Sequence, residues 1–280
     1  MGIHMAGHVL DAGFELTVCN RTRSKAEGLA KRGARIAETA AEVARSADIV
    51  LACLASIPLS EEAFLGSDGA LAEARPGQIF VDHATVAMAT SKKVDAAARE
   101  REAHFLDAPI SGGPGGAADA SLSIMVGGDA AVFERALPVF KAMGKTILHM
   151  GPCGAGTATK LANQLLVGVH TVASCEALEL ARRAGVDLET LVAVLRESWG
   201  ASRMLERNAP NILAEDFGPS PVPLRNLHKD LAIILALAAE QGIDLPGASR
   251  AQEVFQALMD EGKGECDITA ATEKVRPTQG

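Results

Sequence analysis

Aromatic residues make up only 3% of this 280-residue chain, and no basic tract longer than a short loop offsets its formal net charge of -8. Each shortage removes a class of function. So few aromatic rings cannot build base-stacking platforms, and an acidic chain with no basic cluster outside the short loop at Arg21 to Lys25 makes a poor partner for nucleic acid. No apolar run reaches the length of a membrane span and no secretory signal pattern is present, so no membrane partner is expected and the expected location is the cytoplasm. The five cysteines, Cys19, Cys53, Cys153, Cys175 and Cys266, are odd in number and form no C-x-x-C pair. They read as reduced, mostly buried thiols. His4 and His8 stand four apart, a metal-ligand spacing, but neither an acidic residue nor a third ligand accompanies them, and no metal is expected. With 48% hydrophobic and 22% charged residues, the composition is that of a globular chain long enough for two domains.

The chain also lacks the front half of a pattern whose back half it carries. Gly2 followed by the amphipathic run Ile3 to Asp11 resembles the last glycine and first helix of a G-x-G-x-x-G turn, with Ala12-Gly13 as the helix stop and Phe14 to Cys19 as the next strand. In a dinucleotide-binding fold such a helix turns its N-terminus toward the pyrophosphate. A plain structural helix start gives the same local pattern. The first strand and two leading glycines are absent, and the natural start is expected roughly 10 residues upstream, about one strand and a turn.

After that strand comes Asn20-Arg21-Thr22-Arg23-Ser24-Lys25, where a dinucleotide fold meets the adenosine ribose. An acidic residue there serves NAD; a basic, hydroxylated loop suits the 2′-phosphate of NADP. NADP is therefore the expected cofactor rather than NAD, with Arg21 as its main contact and Thr22 and Arg23 assisting. The alternative is an exposed basic turn that caps the next helix through Thr22 or Ser24.

Strand-like runs at 48–54, 78–82, 104–107, 122–126 and 146–149 alternate with alanine-rich helical ones such as Ser24 to Lys31 and Ala89 to Glu102. This predicts a mostly parallel sheet with helices on both faces and ligands at the carboxyl ends of its strands. Past Gly151-Pro152 only helical patterns remain. They comprise a long one from about Ala155 to Ala184, followed by 187–197, 202–213, 224–241 and 247–261. The expected architecture is an α/β Rossmann-type domain over 1–152 and an all-α substrate and oligomerisation domain over 153–280, with chemistry in a cleft between domains.

Two segments could carry that chemistry. Ser111-Gly112-Gly113, after a predicted strand, can offer a hydroxyl and unobstructed backbone N–H groups to a carboxylate, or be a flexible turn. Lys160 and Asn163 stand three apart on the long helix near its start, with Gln164 on the same stripe. A lysine desolvated there and near a helix N-terminus has its pKa lowered toward neutrality, which fits proton transfer; a solvated surface lysine is the alternative. The pair Lys229-Asp230 interrupts an apolar helix and could be ordinary surface charge.

In order along the chain, Asn20-Arg21-Thr22, Asp107 to Gly113, Ile124 to Gly128, Gly154 to Gln164 with its K-x-x-N core, and Lys229-Asp230-Leu231 resemble the β-hydroxyacid dehydrogenases over nearly the whole length. The resemblance implies a hydride transfer between nicotinamide and a small hydroxyacid or its semialdehyde, of the 3-hydroxyisobutyrate, tartronate semialdehyde, glyoxylate or threonate type. It implies Gly2, Asn20, Arg21, Thr22, Leu54 and Thr85 along the cofactor. It implies Ser111, Gly112 and Gly113 on the substrate carboxylate, Asn163 orienting the substrate and Lys160 as acid/base. Lys229 would serve both substrate and cofactor. Ala87-Met88 and Ala120-Ser121 depart from the serine-proline and glycine-threonine usual in the family. A non-catalytic scaffold, an imine-reducing relative and a 6-phosphogluconate-type relative are the other readings. Retained Lys160 and Asn163 oppose the first, Lys160 the second and the short helical domain the third. The apolar helices of the second domain imply a homodimer or homotetramer.

Overall fold

The computed structural model describes residues 1–276. It opens with helix α1 (Gly2–Asp11), whose Met5 and Val9 are buried. Gly13, at φ +87°, ends it in a left-handed turn that suits a residue without Cβ. Only Thr17–Val18 of the expected strand 14–19 forms a ladder, β1. After α2 (Glu27–Ala30), β1 pairs in parallel with β2 (Arg35–Ile36), Thr17 opposite Arg35 and Val18 opposite Ile36. With a two-residue partner on one side, the rest of 14–19 joins no ladder, and the Phe14 N–H turns back to the Val9 carbonyl of α1. The expected helix 24–31 is likewise a 3₁₀ turn, Arg23–Lys25, followed by the four residues of α2.

The main sheet follows α3 (Ala40–Ser46), which Thr39 caps by accepting the Glu42 N–H. Its strands and helices are β3 (Ile49–Ala52), α4 (Ile57–Leu65), β4 (Ile79–Asp82), α5 (Met88–Arg99), β5 (His104–Asp107), β6 (Ile110–Ser111), α6 (Gly113–Ala118), β7 (Leu122–Gly127), α7 (Ala130–Met143) and β8 (Gly144–Gly151). The order is β3-β4-β5-β7-β6, with β8 also on β7. β3, β4 and β5 run parallel, but β7 is antiparallel to β5 and β6 and parallel to β8. The sheet is therefore more mixed than the alternation of runs predicts. The chain turns back through α6, so β7 runs antiparallel to both β5 and β6, with Asp107 opposite Gly127 and Ile110 opposite Ile124.

Period-two alternation splits the core between the faces. Ile79, Val81 and Leu106 pack in one cluster with Met5 and Val9 of α1 and Phe133 and Phe140 of α7. Val50, Phe80 and Phe105 pack in another with Phe64 of α4 and Val94 of α5. Covered on both sides, β4 reads as a continuous apolar run, and each such buried side chain contributes about 1.5–3 kcal/mol relative to exposure.

By its contacts the chain divides into two units, Met1–Lys160 and the residues from Leu161 onward. Helix α8 (Ala155–Arg183) begins in the first unit and continues as the spine of the second. It is followed by α9 (Leu188–Arg196), α10 (Arg203–Ala214), α11 (Leu224–Glu240), α12 (Pro246–Asp260) and α13 (Thr272–Val275). Leu161, Val172, Cys175 and Leu178 of α8 share one core with Ile212 of α10, Leu231 of α11 and Phe255 of α12. All five cysteines are free, but only Cys175 is buried and Cys19 is exposed, which corrects the expectation of mostly buried thiols. Among the described residues no helix is long and apolar enough to cross a membrane.

Ala120, between α6 and β7, has φ +52°. A Cβ in the left-handed region costs about 1–2 kcal/mol, and part of its removal is lost to the greater freedom of glycine in the unfolded chain. Ala120→Gly is therefore expected to raise stability by about 0.5–1 kcal/mol, read as a higher denaturant midpoint at unchanged slope.

Candidate active site

The start of α8 is held by a carboxylate from the sheet. Asp107, the last residue of β5, is buried and accepts the N–H groups of Gly154 at 2.8 Å and Thr157 at 2.7 Å. It thereby caps the helix from outside. Burial pushes the Asp107 carboxyl up, and these hydrogen bonds pull it back. The Thr157 hydroxyl meets that of Ser91 on α5 at 2.9 Å. Two glycines make the junction possible. A Cβ on Gly156 would overlap the carbonyl oxygens of Met125 and Asp107, and one on Gly127 would overlap Asp107 Oδ1. Lys160, the sixth residue of α8, is only 7% exposed. That removes the reading of a solvated surface lysine.

Ser111 is half-buried on β6, opposite Ser123 of β7. Gly112 at φ +131° and Gly113 at φ +62° follow it, and α6 starts at once. The segment 111–118 is thus a defined strand, turn and short helix rather than a flexible loop. Both glycines hold conformations that side chains disfavour.

Three further groups lie just past the carboxyl ends of parallel strands. Gly2 begins α1 beside Cys53, the residue after β3; a Cβ on Gly2 would lie 3.5 Å from that of Cys53. The N-terminus of α1 has no side-chain cap and no acidic residue in its first turn, so its N–H groups suit an anion. Leu54 follows Cys53, and Thr85 follows the Asp82-His83-Ala84 end of β4. There Asp82 accepts from Ser60 and from the Ala84 N–H. Past β1, Asn20 donates to the Thr22 carbonyl at 2.8 Å and shapes the turn, while Arg21 and Thr22 are exposed. Arg23 is engaged in an ion pair with Glu38. Of the two arginines in this turn, Arg21 is the one outside any ion pair among the described residues.

In the helical unit the structure brings together residues that the sequence separates by more than sixty positions. Asn163 Nδ2 donates to Gln164 Oε1 at 3.0 Å, Gln164 Nε2 donates to Asp230 Oδ2 at 2.6 Å, and Asp230 Oδ1 lies 2.7 Å from Lys229 Nζ. That last contact is an ion pair outside hydrogen-bond alignment. Asp230 is buried, so Lys229-Asp230 is not plain surface charge. The signal was present in the spacing, since Asp230 falls three residues after Leu227 and on the same buried face.

Residues 1–151 match the sequence profile of the NAD binding domain of 6-phosphogluconate dehydrogenase, and residues 154–275 that of the NAD-binding of NADP-dependent 3-hydroxyisobutyrate dehydrogenase. The NAD-dependent L-serine dehydrogenase of Pseudomonas aeruginosa is 35% identical, over 100% of this chain and 96% of its own. The 2-hydroxy-3-oxopropionate reductase of Escherichia coli is 34% identical, over 96% and 92% respectively. The chain belongs to the β-hydroxyacid dehydrogenase family. It is an NAD(P)-dependent oxidoreductase of the hydroxyacid class. The solved 3-hydroxyisobutyrate dehydrogenase of Mycobacterium tuberculosis with L-serine superposes on it with a TM-score of 0.89 at 29% identity, covering 99% of this chain and 96% of that one.

Sequence reasoning within this β-hydroxyacid dehydrogenase missed Asp107 as the anchor of the lysine-bearing helix and Asp230 as a buried hub. It also missed His83, buried at the end of β4, whose Nδ1–H donates to the Ala108 carbonyl at 2.6 Å. Burial pushes this imidazole from 6.5 down to about 4, against the opposing pull of that bond. The unfolded chain takes up the proton near pH 6.5, whereas the folded one resists it until about 4. Stability is therefore full above pH 6.5 and falls as the pH drops toward 4, by on the order of 3 kcal/mol from this group. Denaturation of the wild type and of His83→Gln across that window is expected to show a shallower fall in the variant.

Proposed function

We propose that this protein is an NADP-preferring dehydrogenase or reductase of a small hydroxyacid or its semialdehyde, with Lys160 as the acid/base. The observation that carries this reading is the near-complete burial of Lys160 in the second turn of a helix whose start the Asp107 carboxylate anchors. Lys160 is held there as the proton carrier of the reaction, its ammonium the donor and its amine the acceptor. In reduction Lys160 gives its proton to the substrate oxygen as it gains charge; in oxidation it takes the hydroxyl proton. The nicotinamide, when bound, supplies or accepts the hydride.

The other residues bind and orient. Ser111 and the N–H groups of Gly112 and Gly113 hold the substrate carboxylate, a hydroxyl plus backbone donors being suited to a planar anion. Asn163 orients the substrate one turn along from Lys160. The uncapped N-terminus of α1 at Gly2 suits the pyrophosphate, Leu54 and Thr85 line the nicotinamide end, and Lys229 adds positive charge. Arg21, exposed and outside any ion pair among the described residues, meets the 2′-phosphate, with Asn20 and Thr22 shaping its turn. Among substrates, the β-hydroxy three-carbon acids and their semialdehydes are favoured, because the relatives named above are named for, or were solved with, L-serine and 2-hydroxy-3-oxopropionate.

Lys160→Ala is expected to lower kcat by about 10²–10⁴ while the affinity for reduced cofactor, read by fluorescence titration, is unchanged. An unchanged kcat would remove Lys160 from the chemistry. For the cofactor, Arg21→Ala is expected to reduce kcat/KM with NADP about tenfold or more and to leave the NAD value within about twofold, since only the former loses a charge-assisted bond. A wild type that prefers NAD would refute the role given to Arg21.

A further inference from the structure

The hydrogen bonds around Asp230 have a direction, and that direction constrains what Asn163 can offer. An amide side chain is symmetrical in shape, so its oxygen and nitrogen are distinguished only by their partners. The Asp230 carboxylate, paired with the Lys229 ammonium at 2.7 Å, has lone pairs and no proton to give. Gln164 must then turn its NH₂ toward Asp230, at 2.6 Å, and its Oε1 the other way. That oxygen takes an N–H of Asn163 at 3.0 Å, which leaves the Asn163 carbonyl oxygen at the end of the amide turned away from Gln164. The order of donors and acceptors thus runs from a buried charge to the residue three positions after Lys160 on one helix.

We infer that Asp230 and Gln164 are positioning residues that fix Asn163 as a hydrogen-bond acceptor, and that the substrate presents a donor to it, a hydroxyl or amine in addition to the group that reacts. This rests on the functional reading above and narrows it. Semialdehydes that also bear a hydroxyl, such as 2-hydroxy-3-oxopropionate, fit; succinic semialdehyde, which has none, lacks the partner. A carboxylate at Asn163 is disfavoured, because it would meet the carbonyl oxygen.

The direction can be reversed by moving the charge. In Asn163→Asp, the new carboxylate faces Gln164 Oε1, which Asp230 prevents from turning. In Asp230→Asn, the amide cannot satisfy both Gln164 and Lys229. Together the two substitutions let Gln164 flip, donating to the carboxylate at 163 and accepting from the amide at 230, and position 163 remains an acceptor. Each single variant is expected to lose about tenfold or more in kcat/KM with 2-hydroxy-3-oxopropionate, and the double variant to recover to within about threefold of wild type. With succinic semialdehyde, which has no donor for position 163, Asp230→Asn is expected to lose less than about threefold in kcat/KM. Denaturant unfolding of the same four proteins is read alongside, and the double variant is expected to be more stable than either single one.

Losses that simply add in the unfolding cycle overturn the inference. A double variant that regains stability but not turnover overturns the donor assigned to the substrate, as expected if Asn163 faced a carboxylate. A wild type inactive on every hydroxyacid and semialdehyde sinks the functional reading instead, and the unfolding cycle then still decides the direction of the chain.

Discussion

The first unit depends on one buried carboxylate at a helix start. Taking Asp107 out of water costs several kcal/mol unless its oxygens are satisfied. Two backbone N–H groups and the positive end of α8 satisfy them. The contact is possible only because Gly127 and Gly156 carry no Cβ, so the helix cannot be drawn back or advanced without losing it. Lys160 follows at a fixed rotation and height along that helix. The same β5 strand leads through Pro109 into β6 and Ser111. The residue proposed to move a proton and those proposed to hold the carboxylate are thus fastened to a single strand end.

The far side of α8 is organised differently. Beyond Leu161 the helix belongs to an apolar core, and Gly168 allows α11 to approach, with Leu231 Cδ2 only 3.0 Å from where a Cβ would stand. That close packing buries Asp230 and brings it within reach of Gln164. A carboxylate in such a place must be paired, and its partners are the residues next to the proposed site. Burial of charge in this protein therefore serves to orient neighbouring polar groups as much as to stabilise the fold.

Much of this was legible in the sequence, for physical reasons. The helices from Ala155 onward carry long 3.6-residue patterns, and β4 and β5 are continuous apolar runs bounded by polar residues. Both kinds of signal survive without tertiary context. What failed was local. Residues 14–19 look like a full strand, but ladder length depends on a partner strand that sequence alone does not supply. Residues 111–118 look like a loose glycine turn, but their conformation is set by Leu122 and by the ladder between β6 and β7. Lys160 and Asn163 could be found by spacing on one helix. Asp107 could not, because its partners lie on another element; the spacing of Asp230 after Leu227 showed its buried face but not its partner Gln164 on α8.

The most direct test of the account is hydride transfer itself. NADPH carrying deuterium at C4 of the nicotinamide, incubated with this protein and 2-hydroxy-3-oxopropionate or a related short semialdehyde, is predicted to leave deuterium on the newly formed carbinol carbon. Reduced cofactor that stays unspent across the whole set of semialdehydes, or product without deuterium at that carbon, would contradict it.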